Sequence, residues 1–121
     1  MAWKSYQDLD VFQRAYHSAL NLHKISQSFP DEERYALTSQ IRRSSKSICA
    51  NIAEGHGKSS FSPKEFLRYL NIALGSAEET KLWLCFCKDL GFLSEGDFKK
   101  YENEYSEIIK MLYGLIKSLQ N

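Results

Sequence analysis

"QIRRSSKSICANIAEGHGKSS", residues 40–60, places three basic residues in five positions, follows them with small residues and ends in Gly-Lys-Ser. Three readings compete: the tail of a phosphate-binding loop, a strip for nucleic acid, or the small-residue face of a packed helix. Leu37, Ile41, Ser45, Ile48 and Ile52 recur at steps of three and four, the spacing of one helix face. A Walker A loop needs a glycine five positions before Gly57, where this chain has Ile52. It must also follow a strand and open a helix. Here Gly55 and Gly57 are expected to close one, because glycine takes the left-handed conformation of a helix end without penalty. The stretch is a helix.

Only two prolines occur, Pro30 and Pro63, and both fall where the helical period breaks. Upstream, Leu9, Phe12, Tyr16, Ala19, Leu20 and His23 recur at helical spacing and predict a helix over 8–27, capped by Asp8. Pro30 ends that segment. Asp31 is placed to cap the second helix, over 31–54, and Glu32 and Glu33 suit its positive end. Ser62, Pro63 and Glu65 combine cap, first-turn proline and capping box to open a third helix over 62–90, closed by Gly91. Ser94 starts a fourth over 94–119, with Phe98, Tyr101, Tyr105, Ile108, Leu112, Leu115 and Leu119 as its seam. Four long helices on short connections predict an all-α, up-down-up-down antiparallel four-helix bundle, a single domain over 1–121.

Sixteen Lys and Arg against fifteen Asp and Glu leave a net charge of +1, so any polyanion role rests on local clustering. Three cysteines do not suggest a disulfide framework. Cys85 and Cys87 diverge by about 200° on a helix and cannot chelate together. They read, with Cys49, as small buried hydrophobes in a reducing cytoplasm. The N-terminal MAWKSYQDLD shows no secretion signal, and no apolar run approaches a membrane span.

The third helix carries more apolar surface than one core can use. Phe66, Leu70, Ala73, Leu74, Ala77 and Leu84 share one face, while Ile72, Leu82, Trp83 and Phe86 fall on the other. The second helix adds Ser44, Ser47, Cys49, Ala50 and Ala53, small residues that let another helix approach. Two explanations stand. Either an N-terminal arm with Trp3 and Tyr6 folds back over these surfaces, or Cys49, Ala50, Ala53, Ile72, Leu82, Trp83 and Phe86 meet further copies of the chain in a homo-oligomer.

Catalytic and metal constellations are missing from the pattern. His17, His23 and His56 form no HxxxH or ExxH pair, and Glu78 and Glu79 point about 100° apart on a helix. A serine-lysine nucleophile at positions 44–46 lacks the convergent oxyanion hole it needs. No metal or cofactor is expected. Between positions 34 and 58, Arg34, Arg42, Arg43, Lys46 and Lys58 face one acid, Glu54. Such a cluster can hold phosphates by charge without reading sequence. Equally, Arg42 or Arg43 can pair with Glu78, Glu79 or Glu54.

The segments "DLDVFQRAYHSAL", "FPDEERYALTSQIRRSSKSICANIAEG" and "EFLRYLNIALGSAEET" span most of the chain. In these the chain resembles the four-helix bundle proteins encoded by intervening sequences in bacterial 23S ribosomal RNA genes. It is similar also to the more basic accessory variability protein of diversity-generating retroelements. The resemblance implies a ring-shaped homopentamer and makes Arg42, Arg43 and Lys46 polyanion contacts. Joined to the reading of the residues, it predicts a non-enzymatic oligomeric scaffold that binds RNA or DNA weakly through Arg42, Arg43, Lys46 and Lys58. The alternative is an adaptor that docks a partner protein, such as a reverse transcriptase, without touching nucleic acid.

Overall fold

A computed structural model describes residues 4–120. Among these residues there are four long helices and no strands: α1 (Asp10–Ser26), α2 (Leu37–Lys58), α3 (Pro63–Asp89) and α4 (Glu95–Gln120). The beginnings of α3 and α4 follow from their caps. The Ser62 hydroxyl accepts from the Glu65 N–H, with Pro63 in the first turn, and the Ser94 hydroxyl accepts from the Asp97 N–H at 3.1 Å. Beyond the last residue of α3 and its C-cap Leu90, Gly91 takes φ +84° and turns the chain away, and the Phe92 N–H returns to the Cys87 carbonyl at 2.8 Å.

The other two beginnings differ from the sequence expectation. Asp8 belongs to a 3₁₀ turn, Tyr6–Asp8, where its carboxylate accepts from the Ser5 N–H; α1 starts after it with no side-chain cap. Asp31–Glu33 likewise form a separate 3₁₀ turn. α2 starts only at Leu37, whose N–H donates to the Glu33 carboxylate at 3.2 Å. The far end of α2 differs too, because Gly55 and Gly57 lie within the helix and do not end it. Gly55 is buried, and a Cβ there would stand 2.6 Å from the Tyr69 Cβ. It is a point of close helix approach, and that contact outweighs glycine's helix penalty of about 1 kcal/mol.

α2 packs most extensively on α3; α3 packs on α4, and α1 on both α2 and α4. The diagonal pairs have no Cα–Cα approach within 8 Å among the described residues. The four therefore enclose one core, filled by Leu22, Ile41, Ile48, Ile52, Phe66, Leu70, Leu84, Tyr105, Ile108 and Leu112. Small residues bring α2 and α3 together. Thr80 donates to the Ser44 hydroxyl at 2.8 Å, and the Ser47 and Ser76 hydroxyls lie 3.0 Å apart. Ser44 and Ser47 thus meet α3 of their own chain.

α1 presents a different face from the one its periodicity suggested. Its core stripe is Val11, Ala15, Ser18, Ala19, Leu22 and Ser26. Of the expected seam, Leu9 and Ala19 are buried, Phe12 and His23 half-buried, and Tyr16 and Leu20 are 48% and 45% exposed. Small side chains at Ala15, Ser18 and Ala19 let α1 sit close to its neighbours, so its bulkier stripe faces out.

Candidate functional site

The basic residues of α2 do not form one continuous strip. Arg43 is committed: it donates to the Gln40 amide oxygen and to the Glu79 carboxylate of α3, which also accepts from the Trp83 indole N–H at 3.1 Å. Arg42 turns to α1. Its Nε donates to the Ser26 hydroxyl at 2.7 Å and its terminal nitrogen to the His23 carbonyl at 3.4 Å, with no carboxylate partner among the described residues. Lys46 is exposed and makes no ion pair among the described residues. Lys58 lies about 18 Å further along the axis at 1.5 Å per residue. Its ammonium sits 5.2 Å from the Tyr69 ring centre. Of the four candidates, Arg42 and Lys46 lie one turn apart, Arg43 is paired to α3 and Lys58 lies apart from them against Tyr69 of α3.

His23, beside Arg42 and Lys46, has its pKa lowered, first by desolvation and then by repulsion from those two cations. His23, Ser26, Gln27, Phe29, Pro30, Asp31, Arg34, Thr38 and Arg42 surround a pocket of about 240 Å³ at this end of the molecule. Sequence reasoning missed it, since it forms only when the end of α1 meets the start of α2.

Apolar surface remains uncovered on two sides. On α3, Ile72, Leu82 and Phe86 are 42%, 51% and 47% exposed. Trp83 is half-buried, with its ring 5.8 Å from that of Phe86. Between α1 and α2 an apolar groove of about 420 Å³ is lined by Tyr16, Ala19, Leu20, His23, Lys46 and Cys49. Ala50 is exposed and Ala53 half-buried on the same helix as Cys49. The Tyr6–Asp8 turn reaches α1 and α2, with Tyr6 edge-on to Phe12 at 4.8 Å, but it does not reach α3. Trp3, the other aromatic of the expected arm, lies outside the described residues. Tyr16 and Leu20 were missed as surface residues. The signal was present in α1's second stripe, Val11–Ala15–Ser18–Leu22–Ser26, at equally helical spacing.

Among the described residues, no group of three or more His, Cys, Asp or Glu converges to hold a metal ion. The cysteines are free thiols. Burial pushes the Cys49 thiol up to about 11 and that of Cys87 up to about 12. Neither is poised as a nucleophile, which requires the thiolate. No helix among the described residues is long and apolar enough to cross a membrane.

Comparison with known proteins agrees with this architecture. A crystal structure from Bacteroides thetaiotaomicron VPI-5482, of a protein of unknown function in the S23 ribosomal protein family, superposes with a TM-score of 0.80 at 30% identity. The match covers 88% of this chain and 95% of that one. No curated protein matches. The sequence profile of the 23S rRNA-intervening sequence proteins matches residues 7–114. The chain belongs to the 23S rRNA-intervening sequence protein family.

Proposed function

We propose that this protein is a non-enzymatic scaffold, an up-down-up-down antiparallel bundle that assembles as a ring of five copies and holds RNA or DNA weakly. The observation that carries the assembly is the pair of uncovered apolar faces. The α1/α2 groove and the Leu82–Phe86 face of α3 share no lining residue, and α1, one wall of the groove, does not touch α3 among the described residues. Two different faces on one chain favour head-to-tail contact, the α3 face of one copy entering the groove of the next. Such an interface closes into a ring when its rotation divides the circle. Cys49, Ala50 and Ala53 then lie at the groove side of the joint, and Ile72, Leu82, Trp83 and Phe86 at the other.

Polyanion contact falls first to Arg42 and Lys46, one turn apart and without an ion pair among the described residues, with Lys58 further along the helix. A ring repeats these weak contacts around its axis and gains avidity without a new interaction. Labelled structured RNA and duplex DNA, titrated at several salt concentrations, test this. Affinity is expected to fall steeply with salt, with a log–log slope of roughly −0.9 per phosphate neutralised on duplex DNA. Lys46→Glu is expected to weaken binding and flatten that slope; because Lys46 also lines the groove, the mass of the variant by light scattering separates a lost phosphate contact from a lost joint. The second reading, an adaptor that docks a partner protein, is favoured by the Arg43–Glu79 pair, which removes one cation from the strip. Absence of binding at low salt would leave the adaptor.

A further inference from the structure

We propose that the pocket enclosed by the end of α1, the Asp31–Glu33 turn and the start of α2 is a phosphate-binding site, with Arg34 and Arg42 as its cationic arms. Several independent features of that corner support it. Its volume, about 240 Å³, lies below the roughly 300–1,000 Å³ of sites for drug-sized molecules, which suits one phosphate group better than a whole nucleotide. Arg42 is held by the Ser26 hydroxyl and the His23 carbonyl, two neutral acceptors, so its positive charge is oriented but not neutralised. Arg34 is exposed and has no ion pair among the described residues. Thr38, 5% exposed, forms part of the wall; its hydroxyl oxygen is sealed from solvent and has no hydrogen-bond partner among the described residues. Buried polar groups in folded proteins are rarely left so.

Asp31 is the one carboxylate in the lining, against the two arginines. The first turn of α2 borders the pocket through Thr38; the Leu37 N–H at that N-terminus is already taken by the Glu33 carboxylate, so the attraction for an anion rests on the two arginines. His23 completes the corner, facing Arg42 and Lys46 of α2 and sharing the lining with Asp31 and Arg34. Repulsion from the two cations contributes to its lowered pKa, so a bound anion is expected to raise it. The site lies within one chain and stands whether or not the ring forms. It rests on the proposed polyanion role only for the source of its phosphate, a strand backbone or a free phosphomonoester.

Calorimetric titration of the full chain with inorganic phosphate, a nucleoside 5′-monophosphate and an oligonucleotide without terminal phosphates tests the site. The His23 ring proton signal would be followed by NMR against pH in each case. The expected result is saturable phosphate binding that raises the His23 midpoint and weakens roughly tenfold or more in Arg34→Ala and Arg42→Gln, as for loss of a charged hydrogen bond. Arg34 is exposed, so Arg34→Ala is expected to keep the fold and decides the matter even if Arg42→Gln loosens it. A stronger response to the monophosphate names a free phosphomonoester as the source; a stronger response to the oligonucleotide names the backbone. No phosphate binding at millimolar concentration, or equal binding by Arg34→Ala, would overturn the site. Oligonucleotide binding with His23 unmoved by any of the three ligands would do so too, while leaving the polyanion role standing on Lys46. Phosphate binding with no oligonucleotide affinity would keep the site and remove that role.

Discussion

Gly55 and Gly57 sit two residues apart in the same helix and do opposite things. At Gly55 an added methyl group would meet the Tyr69 Cβ at 2.6 Å and the Phe66 ring at 3.1 Å; at Gly57 it would meet nothing within 4 Å. Gly55→Ala is therefore expected to destabilise the fold by about 1–3 kcal/mol through overpacking between α2 and α3. Gly57→Ala is expected to stabilise it by about 0.4–1 kcal/mol, because it restricts the unfolded chain at no steric cost. Urea denaturation of the two variants beside wild type checks both signs. Cys49 offers a second test at this scale. With its pKa raised to about 11, little thiolate exists at pH 8, so alkylation by iodoacetamide is expected to be much slower than for a free cysteine. Mass spectrometry of a time course reads this directly. Rapid labelling of Cys49 would show that the groove is far more open to water than its burial implies.

α1 shows where periodicity stops being enough. It carries two apolar stripes at helical spacing, and the one with the larger side chains looks like the core when read alone. The packed helix instead buries the smaller stripe around Leu22 and leaves Tyr16 and Leu20 half exposed. Only the neighbouring helices choose between the stripes, and that information is not in α1. Leu22→Ala is expected to cost about 2–5 kcal/mol, the usual range for a fully buried leucine. Leu20→Ala should leave chemical stability of the separated chain nearly unchanged and act on assembly. Thermal melts paired with mass measurement separate these effects.

The seam of α2 was legible because Ile41, Ile48 and Ile52 have no competing apolar stripe, and α3 and α4 because Ser62, Pro63, Gly91 and Ser94 mark their ends. The ends of α2 were not legible. Asp31–Glu33 form a separate turn, and Gly55 serves a close approach to Tyr69 that lies fourteen positions away in sequence. Of the candidate contacts, the Arg43–Glu79 pair was foreseeable as one of several options. The corner formed by His23, Ser26, Arg34, Thr38 and Arg42 required the α1–α2 packing itself.

At the scale of the molecule, a chain with net charge +1 has little general attraction for nucleic acid, so geometry must concentrate what charge it has. A ring does this, and its formation would bury the Leu82 and Phe86 side chains. Full burial of such a side chain contributes about 1.5–3 kcal/mol relative to leaving it exposed, and these two are already about half covered. Phe86→Glu on α3 and Tyr16→Glu on the groove are each expected to dissolve a head-to-tail ring, since either breaks every joint. An isologous contact through α3 alone would be indifferent to Tyr16.

The most direct measurement is the mass of the wild-type protein by light scattering at micromolar concentration, run beside Phe86→Glu. The expected result is five times the 14.0 kDa chain mass for wild type, falling to a single chain in the variant. A wild-type mass of 14.0 kDa would contradict the scaffold account, because the two apolar faces would then stand open to water in the native protein.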